Sequence, residues 1–138
     1  MLLIICTVYW EVIISKEDAI NYLCDNLIQL GYATQEYKED VFKREEMAGT
    51  AFVQGFAVPH AITVQPLRST ISVMVLKNPV KWGKYEVRLI LLLSISEQDN
   101  QMLHTFFDWL SNVLIDYNQL MQFIEADNYQ QFMKLMTA

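Results

Sequence analysis

The chain has 138 residues, of which 53% are hydrophobic, and this size and apolar content suit one domain with its own core. Its formal net charge of −6 argues against nonspecific binding to nucleic acid, because that activity requires a basic surface. We therefore predict a single domain over residues 1–138 that does not itself bind nucleic acid.

The cysteines and the apolar start of the chain bear on the compartment in which it works. Cys6 and Cys24 have neither metal-ligand nor redox spacing and make no disulfide framework, which suits a reducing cytoplasm. Residues 2–14 are largely apolar, but Glu11 interrupts them, and a membrane-spanning helix needs about 20 apolar residues. We expect a first strand here, a cytoplasmic location and no direct membrane insertion. The abrupt start also suits a domain of a longer protein.

Two helices are predicted near the start of the chain from their capping residues. Ser15, with Asp18 three residues later, makes an N-terminal capping pattern, and apolar residues then recur at helical spacing. Gly31 follows this first helix, at a position where a left-handed terminator is favoured. Thr34 can cap a second helix over residues 35–47.

The periodicity then changes to that of strands. Residues 78–83 predict a turn, helices are predicted again from residue 98, and Asp127 is expected to cap the last of them. This order of elements predicts an α/β (α+β) fold, in which a mixed sheet of about four to five strands is covered by helices on both faces. Three segments rich in Val, Ile, Phe and Leu predict the later strands: 51–58, 70–76 and 85–95.

The strongest chemical signal is a histidine that directly follows a proline. Residues 55–60 read Gly-Phe-Ala-Val-Pro-His. Pro59 fixes its own φ and biases Val58 toward extended geometry, so the backbone that delivers His60 is stiff. Neutral imidazole is abundant at cytoplasmic pH, and it attacks when one nitrogen is free and the other is held as N–H. We predict reversible chemistry on a His60 nitrogen, with a core histidine bonded to a backbone carbonyl as the alternative.

Four other polar residues are candidates for the same site. His104 either pairs with Asp108 at the surface or donates to a phosphoryl group carried by His60. Arg44 either interacts with the end of its helix or stabilises phosphoryl oxygens with its planar guanidinium. Thr50 and Gln54, on the strand that leads to His60, are candidates for neutral donors, with a structural role as the alternative.

The segment 44–60 carries a family resemblance. It contains an Arg-Glu pair, then Thr50, then a stretch that ends in Ala-Val-Pro-His. This pattern resembles the active-site region of the EIIA domains of the bacterial sugar phosphotransferase system, fructose/mannitol type. The resemblance extends from about residue 10 onward and includes Pro79-Val80-x-Trp82-Gly83 and a histidine that opens the following helix.

The resemblance implies a function as a phosphotransferase. By it, His60 is the phosphorylated histidine, which takes a phosphoryl group from phospho-HPr and passes it to a cysteine of an EIIB domain. His104 and Arg44 match the two supporting positions of the family. HPr and EIIB are then the partner proteins, and neither a cofactor nor a metal is required.

Other functions remain open at this point. Related EIIA-like domains occur in transcription regulators of sugar operons, where phosphorylation of the histidine is a signal. Val53 and Ala61 stand where the family often has glycine, and they motivate this alternative. The histidines lack HxH or HxxxH spacing, so they do not predict a metal site. A cysteine phosphocarrier of EIIB type, with Cys6 as the carrier, is a further alternative. No glycine-rich phosphate cradle follows Cys6, so we expect this residue to be buried instead.

Overall fold

A computed structural model of the protein describes residues 3–9, 15–126 and 129–136, with the backbone alone for 3–9 and 129. Its strands are β1 (Leu3–Tyr9), β2 (Ala51–Phe52), β3 (Phe56–Ala57), β4 (Thr70–Trp82) and β5 (Tyr85–Ser94). Its α-helices are α1 (Lys16–Leu30), α2 (Gln35–Met47), α3 (Asn100–Asn112), α4 (Tyr117–Ile124) and α5 (Tyr129–Met136). A short 3₁₀ turn, Glu97–Asp99, precedes α3.

The sheet of the described residues has five strands in the order β1-β4-β5-β3-β2. The pairs β1–β4 and β3–β5 are parallel, whereas β4–β5 and β2–β3 are antiparallel, so the sheet is mixed as predicted. The predicted first strand is confirmed as β1. The cap expected from Asp127 lies outside the described residues.

Local capping fixes the ends of the first two helices as the sequence predicts. The Ser15 hydroxyl oxygen accepts from the backbone N–H of Asp18 at 3.1 Å, and that of Thr34 accepts from Tyr37 at 3.2 Å. Gly31 ends α1 with φ of 80° and donates its N–H to Ile28 at 3.0 Å.

Side chains of β4 and β5 alternate between two cores, so helices cover both faces of the sheet. Residues such as Met74 and Leu92 pack against α1 and α2, whereas Val73 and Leu91 pack against α3, α4 and α5. Because both faces are covered, β5 is buried without interruption from Leu89 onward.

Two sequence predictions about strands are wrong in extent. The predicted strand 51–58 is a pair of two-residue antiparallel strands, because Gly55, with φ of 115°, reverses the chain between β2 and β3. The predicted turn 78–83 lies largely within β4, which bulges between Val75 and Val80 before it continues to Trp82. The bulge takes Pro79, which has no N–H to donate, out of the ladder.

Among the helices of the described residues, none is both long enough and apolar enough to cross a membrane.

Gly31→Ala should lower the free energy of unfolding by about 1–2 kcal/mol, because an L side chain is strained at its positive φ. A Cβ at Gly31 would have no neighbour within 4 Å, so the effect isolates the backbone conformation. Gly49→Ala is the matched control, since it also has no neighbour within 4 Å but lacks a positive φ. Urea denaturation measures the free energy of unfolding of both variants. Equal values would contradict a left-handed backbone at Gly31 that favours glycine.

Candidate functional site

His60 lies where the segment after β3 meets β5. Its Nδ1 is 2.9 Å from the carbonyl oxygen of Val58, and the next carbonyl, of Pro59, accepts from Leu93 N–H at 3.0 Å. A carbonyl oxygen only accepts, so Nδ1 carries the hydrogen and the lone pair of the neutral ring is on Nε2. The ring is half-buried, and its backbone is fixed to the sheet.

A cavity of about 240 Å³ lies beside His60. Most of the residues that line it are apolar, and they come from α2, from the segment after His60, from the end of β5 and from α3. Leu103 and Phe107 are the α3 residues that contribute to it, and Phe107 is 39% exposed. The candidate site is therefore a cavity lined mostly by apolar residues, with an imidazole at its side.

His104 is exposed on α3, next to Leu103. The structure brings this helix to the wall of the His60 cavity, but His104 itself does not line it. Among the described side chains, His104 makes no hydrogen bond to Asp108, whose backbone carbonyl accepts from Asn112. The surface His–Asp pair that was the alternative for His104 is therefore not formed here.

Arg44 lies in the last turn of α2, where one guanidinium nitrogen, Nη1, donates to the Ala48 carbonyl at 2.6 Å. This is the helix-end interaction expected for a late arginine. Arg44 does not line the His60 cavity, and within the described residues it makes no hydrogen bond to His60. Among the described residues, the other N–H groups of Arg44 have no hydrogen-bond partner.

Thr50 supports the backbone that leads to His60. Its carbonyl accepts from Val58 N–H at 3.1 Å, while its N–H and hydroxyl group both donate to Glu45. This arrangement favours the structural alternative for Thr50. Gln54 lies half-buried in the turn between β2 and β3, and its side chain makes no hydrogen bond within the described part of the chain.

Glu45 is a residue of the candidate site to which the sequence alone assigned no role. Its buried carboxylate accepts from Thr50 N–H at 2.9 Å, from the Thr50 hydroxyl at 2.9 Å and from Trp82 Nε1–H. It thereby joins the end of α2 to the end of β4 and to the segment before His60. The sequence contained a signal for Glu45, because it is the acid of the Arg-Glu pair and the family pattern also includes Thr50 and Trp82.

Asp40 is a second buried carboxylate of α2 and was also missed. Its Oδ2 accepts from the backbone N–H groups of Ile62, Thr63 and Val64 at 2.9, 2.8 and 2.8 Å. Burial alone would raise the pKa of Asp40, but these three donors and the charge of Lys43 hold the pKa below its usual value. The sequence contained a signal for Asp40, because it is an acidic residue on the otherwise apolar face of the helix predicted over residues 35–47.

Tyr37 completes the contribution of α2. Its hydroxyl is 2.6 Å from the Ser94 hydroxyl and donates to the Leu93 carbonyl at 3.2 Å. Burial raises the pKa of Tyr37 well above its usual value, so the ring stays protonated and neutral. Tyr37 thus joins α2 to the end of β5 at the inner side of the cavity.

Within the described part of the chain, the Cys24 thiol and the acids do not form a second reactive centre. Burial raises the pKa of Cys24 to about 12, so it is not a thiolate at neutral pH. The side chain of Cys6 lies outside the described residues. Among the residues that are described, no three His, Cys, Asp or Glu side chains cluster as a metal site.

Comparison with known proteins identifies the family of the chain. The family described as "Phosphoenolpyruvate-dependent sugar phosphotransferase system, EIIA 2" matches residues 6–138. The chain belongs to this family. The resemblance stated from the segment 44–60 is therefore confirmed.

Relatives of this EIIA domain are found within larger proteins. It is 29% identical over 117 residues, 85% of the chain, to the probable licABCH operon regulator of Bacillus subtilis (strain 168). It is 30% identical over 126 residues, 88% of the chain, to multiphosphoryl transfer protein 1 of Escherichia coli (strain K12). The chain spans only 18% and 15% of the lengths of these relatives.

Two solved structures share the fold. The complex of enzyme IIAMTL and phosphorylated enzyme IIBMTL from Escherichia coli superposes with a TM-score of 0.80 at 19% identity, covering 97% of this chain and 93% of that chain. IIA mannitol from Escherichia coli superposes with a TM-score of 0.78 at 20% identity, covering 96% and 94%. The predicted sheet with helices on both faces is the fold of these EIIA proteins.

Glu45→Ala should lower the free energy of unfolding by about 2–4 kcal/mol, because buried donors of Thr50 and Trp82 lose their acceptor. Glu46→Ala, one residue further along α2 and exposed, is the control and should change stability by no more than about 0.5 kcal/mol. Urea denaturation measures both. If Glu45→Ala lowers the free energy of unfolding no more than Glu46→Ala does, the buried carboxylate does not hold these elements together.

Proposed function

We propose that this EIIA domain is a phosphohistidine carrier in sugar uptake. His60 accepts a phosphoryl group from phospho-HPr on Nε2 and passes it to a cysteine of an EIIB domain. The observation that carries the proposal is the bond from His60 Nδ1 to the Val58 carbonyl. It holds the ring in the tautomer whose free nitrogen is Nε2, beside a cavity lined mostly by apolar residues.

The chemistry needs little from the protein beyond positioning. The Nε2 lone pair forms a bond to phosphorus as the donor's bond to phosphorus breaks, and the electron pair of that bond returns to the donor. The ring becomes positively charged in this step, and the Val58 carbonyl stabilises the charge through Nδ1–H. Onward transfer reverses the roles: the thiolate of EIIB attacks phosphorus, and His60 recovers its lone pair.

Arg44 and His104 are proposed to support the transferring group. Phosphoryl transfer depends on donors aimed at the equatorial oxygens, and guanidinium binds such oxygens bidentately. Only one of the five N–H groups of Arg44 has a described partner, the Ala48 carbonyl, so others are available. His104 lies next to a residue of the cavity wall and is proposed to donate to a phosphoryl oxygen without attacking phosphorus.

A second candidate function is regulatory. The similarity to the licABCH operon regulator, and 33% identity over 92 residues to the transcriptional regulator ManR of Bacillus subtilis (strain 168), favour it. In this case phosphorylation of His60 adds about −2 charge as a signal and changes packing against neighbouring domains. Transfer from the phosphorylated domain to a purified EIIB supports the carrier, and a phosphoryl group that no EIIB accepts supports the regulator.

His60→Ala should abolish phosphoryl uptake, because Nε2 of this residue forms the bond to phosphorus. The measurement is incubation with enzyme I, HPr and phosphoenolpyruvate, followed by mass spectrometry of the intact chain. The wild-type chain should gain one acid-labile phosphate, and His104→Ala, which removes the other histidine, should gain it too. A phosphate retained by His60→Ala would refute the assignment.

His104→Ala should slow onward transfer to EIIB by roughly 10²-fold, because one donor to a phosphoryl oxygen is lost in the transition state. Rapid-quench kinetics of the loss of phosphate from the phosphorylated domain measure this. Asp108→Ala is the matched control, an exposed residue one turn along α3. Wild-type transfer rates in His104→Ala would remove that residue from the site.

A further inference from the structure

Three consecutive backbone N–H groups just after His60 converge on one oxygen atom. They belong to residues 62–64, and the oxygen is Oδ2 of Asp40, at 2.8 to 2.9 Å from each nitrogen. Successive N–H groups that point to one place form an anion-binding concavity. In this chain the anion is the domain's own carboxylate, supplied by α2, and Asp40 is buried beneath the segment.

The two flanks of His60 are held by different means. Upstream, Val58 N–H donates to the Thr50 carbonyl, and the Pro59 carbonyl accepts from Leu93, so this side is joined to the sheet. Downstream, the described hydrogen bonds to the backbone of residues 62–64 are those to Asp40, and the Val64 side chain also packs against the core on the side of α1 and α2. The next fixed point is Gln65, whose side-chain oxygen accepts from Glu97 N–H at 2.7 Å.

The segment held by Asp40 also forms a wall of the reactive cavity. Ile62 and Val64 line the cavity together with His60. Ile62 is 42% exposed, so burial of its own side chain does little to fix it. If the downstream segment moves, the ring of His60 and the wall beside it move together, because Ile62 and Val64 follow His60 closely along the chain.

We propose that Asp40 is a positioning residue for phosphoryl acceptance by His60. The proposal rests on the function proposed above. Asp40 does not touch the phosphoryl group. Its carboxylate holds residues 62–64, which keeps the His60 ring in the orientation where Nδ1–H bonds to Val58 and Nε2 faces the incoming donor.

Asp40→Ala tests the proposal, because it removes the acceptor of all three N–H groups. The kcat for phosphoryl acceptance from phospho-HPr should fall about 10- to 100-fold with KM nearly unchanged, since a displaced nucleophile loses rate rather than partner binding. NMR of the ring nitrogens should show that His60 loses its preference for the Nδ1–H tautomer. Amide hydrogen exchange of residues 62–64 should accelerate.

Two further variants separate positioning from a general effect. Asp40→Asn keeps an oxygen at the same place, so it should restore most of the rate, the tautomer and the slow amide exchange. Glu39→Ala is the matched control, since it removes an exposed carboxylate from the adjacent position of α2, and it should behave as wild type. If Asp40→Ala does not fold, Asp40→Glu replaces it, because it keeps the charge but displaces the carboxylate by one methylene.

The outcomes distinguish this proposal from the function on which it rests. A wild-type chain that takes no phosphoryl group from phospho-HPr refutes the proposed function. A wild-type chain that takes it, together with an Asp40→Ala variant of unchanged kcat and accelerated amide exchange, refutes the positioning role alone. An Asp40→Asn variant that is as slow as Asp40→Ala while residues 62–64 stay protected also refutes it, because the charge and not the position would then matter.

Discussion

The contact between His60 Nδ1 and the Val58 carbonyl, at 2.9 Å, decides what the imidazole can do. A backbone carbonyl accepts and does not donate, so in the neutral ring this contact leaves the lone pair on Nε2. Pro59 stands between the two residues and limits the conformations in which they can approach each other. The proposed chemistry therefore depends on a hydrogen bond within three consecutive residues, and the rest of the site serves to hold those residues still.

Helix α2 provides that support from one side of the sheet. Tyr37 bonds to the end of β5, Asp40 holds the segment after His60, and Glu45 holds Thr50, whose carbonyl in turn binds Val58. Buried carboxylates are costly unless donors surround them, and both acids have three. The same bonds that satisfy these acids fix the two flanks of His60, so the stability of this region and the geometry of the candidate site are linked.

The parts of the structure that depend on local interactions could be predicted from the sequence. The ends of α1 and α2 follow from caps a few residues apart, and the covering of both faces follows from the apolar run within β5. The hairpin at Gly55 was not predicted, although its paired residues are close in sequence, because apolar residues on both sides of the glycine resemble one continuous strand. The bulge near Pro79 was not predicted, because it is visible only in the register of β4 against β5. Asp40 and Glu45 were missed because their partners are distant in sequence. The amides of Ile62 to Val64 lie 22 to 24 residues from Asp40, and Trp82 lies 37 residues from Glu45. His60 was found from sequence because its special geometry is encoded by its immediate neighbours.

The central claim is that Nε2 of His60, and not Nδ1, carries the phosphoryl group. It is tested most directly by NMR of the phosphorylated chain with its histidine rings labelled with heavy nitrogen, in which the coupling between phosphorus and nitrogen identifies the bonded atom. The account predicts coupling to Nε2 of His60, with a hydrogen retained on Nδ1. A coupling between phosphorus and Nδ1 of His60 would contradict it, because the Val58 carbonyl would then be bonded to nothing and the arrangement around it would have no role in the chemistry.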